Sequence, residues 1–243
     1  MSKVITGQQP AFDGPSLTII TPVYVTEKFA AERLSARIAQ YARYIEMYEG
    51  AIEWIILIED SHKKLVIPSK GLSDPIIRAI HTKTGQKYSQ SRLKNLGLEV
   101  ARGKIVCFMD QDINVPPDAI SEIIRTPCEP NTVGLFAYRQ GGLVRPDLCL
   151  SCIVYWKQDD MFFEERLVGQ CGGEMMYFID FYELTAFKYN CTIDRIPDNY
   201  HDTPGNMDRI DIEMDKLCEV YAAPKVTDFS HLFKENDKKI CLI

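Results

Sequence analysis

The chain has 243 residues, 46% of them hydrophobic and 26% charged, with 14 glycines and 13 prolines. That length and mix suit one α/β domain with a buried core and exclude collagen-like, low-complexity and coiled-coil classes. Lysine plus arginine number 28 against 34 acidic residues, a net charge of −6, which disfavours a protein that coats duplex nucleic acid and leaves room only for a local basic patch holding a single phosphate group.

No apolar run reaches the roughly 18 residues that span a bilayer, and the opening Met1 to Gly14 lacks a charged-then-apolar secretory pattern. The eight cysteines are scattered through a chain too long to need staples, so reduced thiols in a cytoplasmic, soluble protein are expected. The tail Ile240-Cys241-Leu242-Ile243 holds its cysteine third from the end, where a prenylation box needs it fourth, and no lipid anchor is expected.

Residues 1–15 form an irregular lead-in with Gly7, Pro10, Gly14 and Pro15. Leu17 to Val25 is β-branched and apolar, the pattern of a buried strand. Apolar positions at Leu34, Ile38, Tyr41, Ala42 and Ile45 predict a helix from about Glu27 to Glu49. Ile52 to Ile58 predicts a second buried strand that ends in Glu59-Asp60-Ser61, and strand, helix, strand implies a right-handed crossover and a parallel pair. Further along, the pattern predicts a strand at Ile76–His81, a helix at Ser89–Ala101, a strand at Lys104–Met109, and a helix over Ala119–Arg125 opened by Pro116-Pro117. Beyond about residue 126 the pattern loosens. Gly134–Tyr138 predicts a strand, Gly141-Gly142 and Gly172-Gly173 predict turns, Cys152–Trp156 is apolar, and a helix is expected at about Asp211–Tyr221. Such alternation builds an open α/β sheet, whose ligands bind beyond the carboxyl ends of the strands.

The polar clusters fall at those ends. Asp110-Gln111-Asp112 places two carboxylates one residue apart directly after a buried strand. Burying such a pair without partners is costly, and a hard divalent cation, Mg²⁺ or Mn²⁺, offsets the cost while bridging to a diphosphate. The plain alternative is a solvated loop with one aspartate capping the next helix. Asp60 is placed to meet a base edge or to cap a turn. Lys87, Arg92 and Lys94 lie near a helix start, where cations and free N–H groups address phosphate or merely form a solvated face. Neither a Walker A motif nor Gly-x-Gly-x-x-Gly occurs, so P-loop and classical dinucleotide chemistry lack their fingerprint. Cys149-x-x-Cys152 has no second pair at zinc spacing and reads as two buried thiols.

The run Lys94-Asn95-Leu96-Gly97-Leu98-Glu99-Val100-Ala101-Arg102-Gly103-Lys104, continuing through Ile105-Val106-Cys107-Phe108-Met109 into Asp110-Gln111-Asp112, resembles the catalytic domain of family 2 glycosyltransferases with the GT-A fold. Thr21-Pro22-Val23-Tyr24 is similar to that family's opening strand end, and Glu59-Asp60 to its acidic pair after the second strand. The resemblance spans roughly residues 16–236. It implies a mixed, mostly parallel central sheet flanked by helices, with residues 16–125 as the nucleotide-sugar-binding half, 126–236 as the acceptor side, and 237–243 as a tail. It also implies that Thr21, Pro22, Tyr24 and Asp60 hold the nucleoside, Lys94 meets phosphate, Asp110 sits near ribose and metal, and Asp112 binds the metal. Lys94 stands where the family pattern has arginine, which weakens any bidentate phosphate contact there.

In the second half, Gly172-Gly173-Glu174 and Phe178–Tyr182 resemble the turn and strand beneath the acceptor site. Ile210-Asp211-Ile212-Glu213-Met214 resembles the family's acidic helix start, which implies Asp211 as catalytic base. Because Ile210 replaces the first acid, Glu213 and Asp208 stay open as alternatives. Asp228-Phe229-Ser230-His231 resembles the segment that supplies a histidine to the metal in metal-dependent relatives, which implies His231 as a third protein ligand.

Together these imply a metal-dependent, inverting hexosyl- or N-acetylhexosaminyltransferase that uses Mn²⁺ or Mg²⁺. It would move a sugar from a UDP-linked nucleotide donor to an acceptor hydroxyl, by preference on a carbohydrate. Trp156, Tyr155, Phe162, Phe163, Tyr177 and Tyr182 offer aromatic surface for a sugar or for a core. A nucleic-acid acceptor stays open because only one groove need be basic. Two rivals remain: a sugar-nucleotide-forming nucleotidyltransferase, which would carry a Gly-rich loop where Thr21-Pro22-Val23-Tyr24 stands, and a silent nucleotide-sugar or glycan binder that has lost its base.

Overall fold

In the computed structural model the described residues are 16–24, 48, 52–59, 77–82, 90–163, 165, 175, 178–179 and 181–195. Their strands are β1 (Leu17–Tyr24), β2 (Ile52–Glu59), β3 (Ile77–Thr82), β4 (Ile105–Met109), β5 (Ile113–Asn114), β6 (Thr132–Gln140), β7 (Leu143–Trp156) and β8 (Thr185–Arg195). The helices with described bounds are α1 (Gln90–Val100) and α2 (Pro117–Arg125). The strands form one sheet in the order β3-β2-β1-β4-β7-β6-β8-β5. β3, β2, β1 and β4 run parallel, as the strand–helix alternation predicts. β4 with β7, β7 with β6, and β8 with β5 are antiparallel, while β8 runs parallel to β6.

The parallel strands read as unbroken apolar runs because both of their faces are covered. Successive residues point to opposite sides, and so divide between two cores. Ile19, Trp54, Ile56, Cys107 and Met109 face one core, to which α2 adds Ala119, Ile120 and Ile123. Ile20, Ile55, Leu57, Val106 and Phe108 face the other, to which α1 adds Leu93 and Leu98. α1 lies close on the sheet because position 97 has no side chain: a Cβ there would meet Ile20 Cγ2 at 2.6 Å and Leu57 Cδ1 at 3.0 Å. α2 begins as its prolines predict, with Pro116 in an extended conformation as N-cap and Pro117 in the first turn.

At the end of the sheet away from the acidic pair, Glu53 is buried and forms a lock across β1, β2 and the end of α1. Its Oε1 accepts from Thr18 Oγ1 at 2.7 Å and from the Arg102 backbone N–H at 2.6 Å, and its Oε2 accepts from Arg102 Nε at 3.0 Å. Gly103 N–H in turn donates to Thr18 Oγ1 at 2.9 Å.

The second half differs from the sequence reading in two places. β7 is longer than the apolar segment Cys152–Trp156. It pairs with β6 around the Gly141-Gly142 turn, where positive φ values of 61° and 83° suit a two-residue hairpin. The expected strand over Phe178–Tyr182 is instead helical at Phe178, Ile179 and Phe181. Met175, Phe178 and Ile179 are buried at spacings of three and four, so one helical face meets the core. The strand comes afterwards, as β8. The helices expected at Glu27–Glu49 and Asp211–Tyr221 lie outside the described residues apart from Tyr48, which packs against the first core and donates to Pro117 O at 3.3 Å.

Candidate active site

β1, β2 and β4 are parallel and in register, with Tyr24 opposite Glu59 and Ile20 opposite Phe108. Their carboxyl ends therefore form one edge, and the chain leaves β4 at that edge directly into Asp110-Gln111-Asp112. The Asp110 N–H donates to Ser151 O at 2.9 Å, and Ile113 N–H closes a tight turn by donating to Asp110 O at 3.1 Å. The turn delivers the chain into β5, so the two carboxylates are held on ordered backbone.

Each carboxylate has a specific partner. Asp110 Oδ1 accepts from Gln90 Nε2 at 2.7 Å, from the first residue of α1. Asp112 is only 3% exposed, and its Oδ2 accepts from Arg195 Nε at 2.9 Å. Burial works to lower the Arg195 pKa, but the Asp112 carboxylate outweighs it and the guanidinium is held above its ordinary value. Burial pushes the neighbouring Cys149 thiol up to about 12, against the opposing field of Arg195. The site is thus a buried carboxylate–guanidinium pair with a second carboxylate beside it.

Arg195 and Gln90 were not singled out by the sequence. Arg195 arrives as the last residue of β8, opposite Ile113 of β5 and Gln140 of β6. Its neighbour Asp194 is anchored by Arg139 Nη1 at 3.2 Å. The available signal was the β-branched and aromatic content of Thr185–Arg195.

Three expected ligand contacts are placed in the interior. Thr21 is buried, and its Oγ1 accepts from Trp54 Nε1 at 2.9 Å. Pro22 is buried within β1. Lys94 is 1% exposed, with its ammonium 5.9 Å from the Phe108 ring centroid and 5.3 Å from that of Phe163. That position is at odds with a solvent-facing phosphate contact, and the cation sits against aromatic faces instead. Beside it, Asn95 clamps the segment after β7: it accepts from Phe163 N–H at 2.8 Å, and donates to Phe163 O at 2.9 Å and Glu165 Oε1 at 3.0 Å. The Tyr24 side chain, Asp60, Asp208, Asp211, Glu213 and His231 lie outside the described residues.

No group of three His, Cys, Asp or Glu side chains converges as a metal cage among the described residues. The oxygen-only pair Asp110 and Asp112 nevertheless fits Mg²⁺ or Mn²⁺, which are commonly held by one or two carboxylates together with substrate phosphates. No helix among the described residues is long and apolar enough to cross a membrane.

The model of the family described as Glycosyl transferase family 2 matches residues 18–184. No curated protein matches the chain. Among solved structures, residues 1–349 of S. aureus TarS align with a TM-score of 0.55 at 16% identity, over 93% of this chain and 77% of that one. The same fragment has been solved with UDP and with UDP-GlcNAc. Mannosyltransferase PcManGT from Pyrobaculum calidifontis, in complex with GDP-Man and Mn²⁺, aligns with a TM-score of 0.60 at 12% identity, over 99% and 71%. The inositol-1-phosphate CTP transferase from T. maritima aligns with a TM-score of 0.52 at 10% identity, over 83% and 97%. At these identities the structural neighbours establish a shared fold. With the family match over most of the sheet and the acidic turn within it, the chain belongs to glycosyltransferase family 2 and is a glycosyltransferase of the GT-A fold.

Proposed function

We propose that this protein transfers a sugar from a UDP-linked donor to a hydroxyl on a carbohydrate acceptor with inversion at the anomeric carbon, using Mn²⁺ or Mg²⁺ at Asp112. The observation that carries the reading is the buried Asp112 carboxylate beside Asp110, on the ordered turn that leaves β4 at the sheet's carboxyl edge. The TarS complexes with UDP and UDP-GlcNAc support a uridine donor, and the GDP-Man complex of PcManGT, which contains Mn²⁺, supports a divalent cation.

In this scheme Asp112, with Asp110 and His231, holds the cation, which when bound neutralises charge on the leaving diphosphate. Thr21, Pro22, Tyr24 and Asp60 frame the nucleoside, the first two through the backbone of β1 because the Thr21 hydroxyl already bonds Trp54. Asp211, with Glu213 as its alternate, takes the proton from the attacking hydroxyl. Lys94 shapes the site from beneath through Phe108 and Phe163. A carbohydrate acceptor follows from the family resemblance; the exposed rings of Phe162 and Phe181, joined by Tyr182, lie beside the start of β8, at the end of the sheet away from the acidic turn, and do not line it.

The test is UDP release from UDP-sugars in Mn²⁺. Slow release that is abolished by EDTA and by Asp112→Ala is expected. Asp211→Asn should keep UDP affinity while cutting transfer by roughly a hundredfold to ten-thousandfold. Undiminished transfer in that variant would move the base to Glu213 or elsewhere. The nucleotidyltransferase reading gains some support from the shared fold of the CTP transferase. Formation of UTP from a UDP-sugar and pyrophosphate would favour it over sugar transfer.

A further inference from the structure

Two carboxylates on one turn carry two negative charges, and among the described residues Arg195 sets a positive charge against them. Asp112 is 4% exposed and Arg195 20% exposed at the side chain, with Nε 2.9 Å from Oδ2. In so dry a setting the attraction is weakly screened, and an unpartnered Asp112 would be costly. The contact is built into the sheet: β5 follows the acidic turn directly, and its pairing with β8 puts Arg195 opposite Ile113. Asp110 also lies within electrostatic range of the guanidinium.

We propose that Arg195 is the resident counter-charge of the acidic turn, a positioning residue that disfavours a bare cation at Asp112 and makes cation loading depend on arrival of the donor's diphosphate. The inference rests on the metal reading of Asp112 proposed above. A divalent cation approaching Asp112 alone meets a guanidinium already holding one carboxylate oxygen. A diphosphate changes the balance, because it brings anionic oxygens for both the cation and the guanidinium. Linkage then requires that the cation tighten nucleotide binding by the same factor by which nucleotide tightens cation binding.

The experiment is Mn²⁺ titration followed by the electron paramagnetic resonance signal of free Mn²⁺, with and without UDP, on wild type, Arg195→Gln and Arg195→Lys. Wild type should bind Mn²⁺ weakly alone and tightly with UDP. Arg195→Gln should bind Mn²⁺ without UDP roughly tenfold or more tighter than wild type, with the UDP effect reduced to match. Arg195→Lys keeps the charge and should stay close to wild type. Equal or weaker Mn²⁺ binding by the glutamine variant, or glutamine-like binding by the lysine variant, would overturn the proposal. If Arg195→Gln does not fold in metal-free buffer, recovery of folded protein in Mn²⁺ but not in sodium chloride of equal ionic strength supports it, and no recovery overturns it. If wild type binds no Mn²⁺ even with UDP, the metal reading itself falls and takes this inference with it. That result is distinct from one in which wild type binds and the glutamine variant is unchanged.

Discussion

Charge burial is the recurring residue-scale problem, and each case is settled differently. Among their contacts, Asp112 meets a guanidinium, Glu53 a hydroxyl, a backbone N–H and the half-exposed Arg102, and Lys94 two aromatic rings. Thiols show the same physics in the opposite sense, since they are kept neutral. Burial pushes Cys128 up to about 11 and Cys149 up to about 12. Unfolded thiols ionise near their ordinary value of about 8.5, so between there and the raised values the unfolded chain releases protons that the folded chain retains. The stability these thiols contribute is therefore complete below that window and is lost as pH rises through it, by about 1.4 kcal/mol per pH unit for each fully shifted thiol. Urea denaturation with reductant from pH 8 to 11 should show this decline, and Cys149→Ala should flatten it. An unchanged slope in that variant would mean that Cys149 titrates normally in the fold.

At the scale of elements, the stretch most typical of the family does mainly structural work among the described residues. Lys94 and Asn95 hold the segment around Phe163, Gly97 lets α1 approach the sheet, and Gly103 reaches Thr18. Gly97→Ala should accordingly destabilise the fold by about 1–3 kcal/mol, read as a lower urea midpoint, because its methyl group would enter the space of Ile20 and Leu57. A midpoint at or above that of wild type would show that α1 can shift at no cost. The first four strands and α1 were legible because uninterrupted apolar runs and helical spacing carry strong periodic signals. β7 and β8 were not. The register of β6 with β7 shifts between Leu135 and Phe136 and again between Ala137 and Arg139, and that of β6 with β8 shifts between Leu135 and Ala137. Bulges interrupt the alternation that marks a strand. The Asp112–Arg195 pair spans 83 positions through the two-residue strand β5, a separation at which local spacing carries no information. The acidic pair and its place directly after a strand were legible; the arginine that pairs with Asp112 was not.

For the whole molecule, the parallel strands build the platform and the strands β6 to β8 close around its acidic corner. α2 is tied to β8 by Glu122, which accepts the Asn190 and Cys191 N–H groups at 2.8 and 2.9 Å. Burial works to raise the Glu122 pKa, but those hydrogen bonds outweigh it and hold the carboxyl below its ordinary range. The tie is thus present above the ordinary carboxylate range and lost as pH falls through the lowered value. This architecture gathers two carboxylates and a guanidinium at one corner of the sheet.

The central claim, that the acidic turn after β4 is the cation and donor site of a glycosyltransferase, is tested most directly by crystals grown with UDP and Mn²⁺ and measured at the manganese absorption edge. The account predicts an anomalous peak within bonding distance of the Asp112 carboxylate and of a diphosphate oxygen, and its loss in Asp112→Ala crystals. Bound UDP with no manganese at Asp112, or manganese bound at another place, would contradict it.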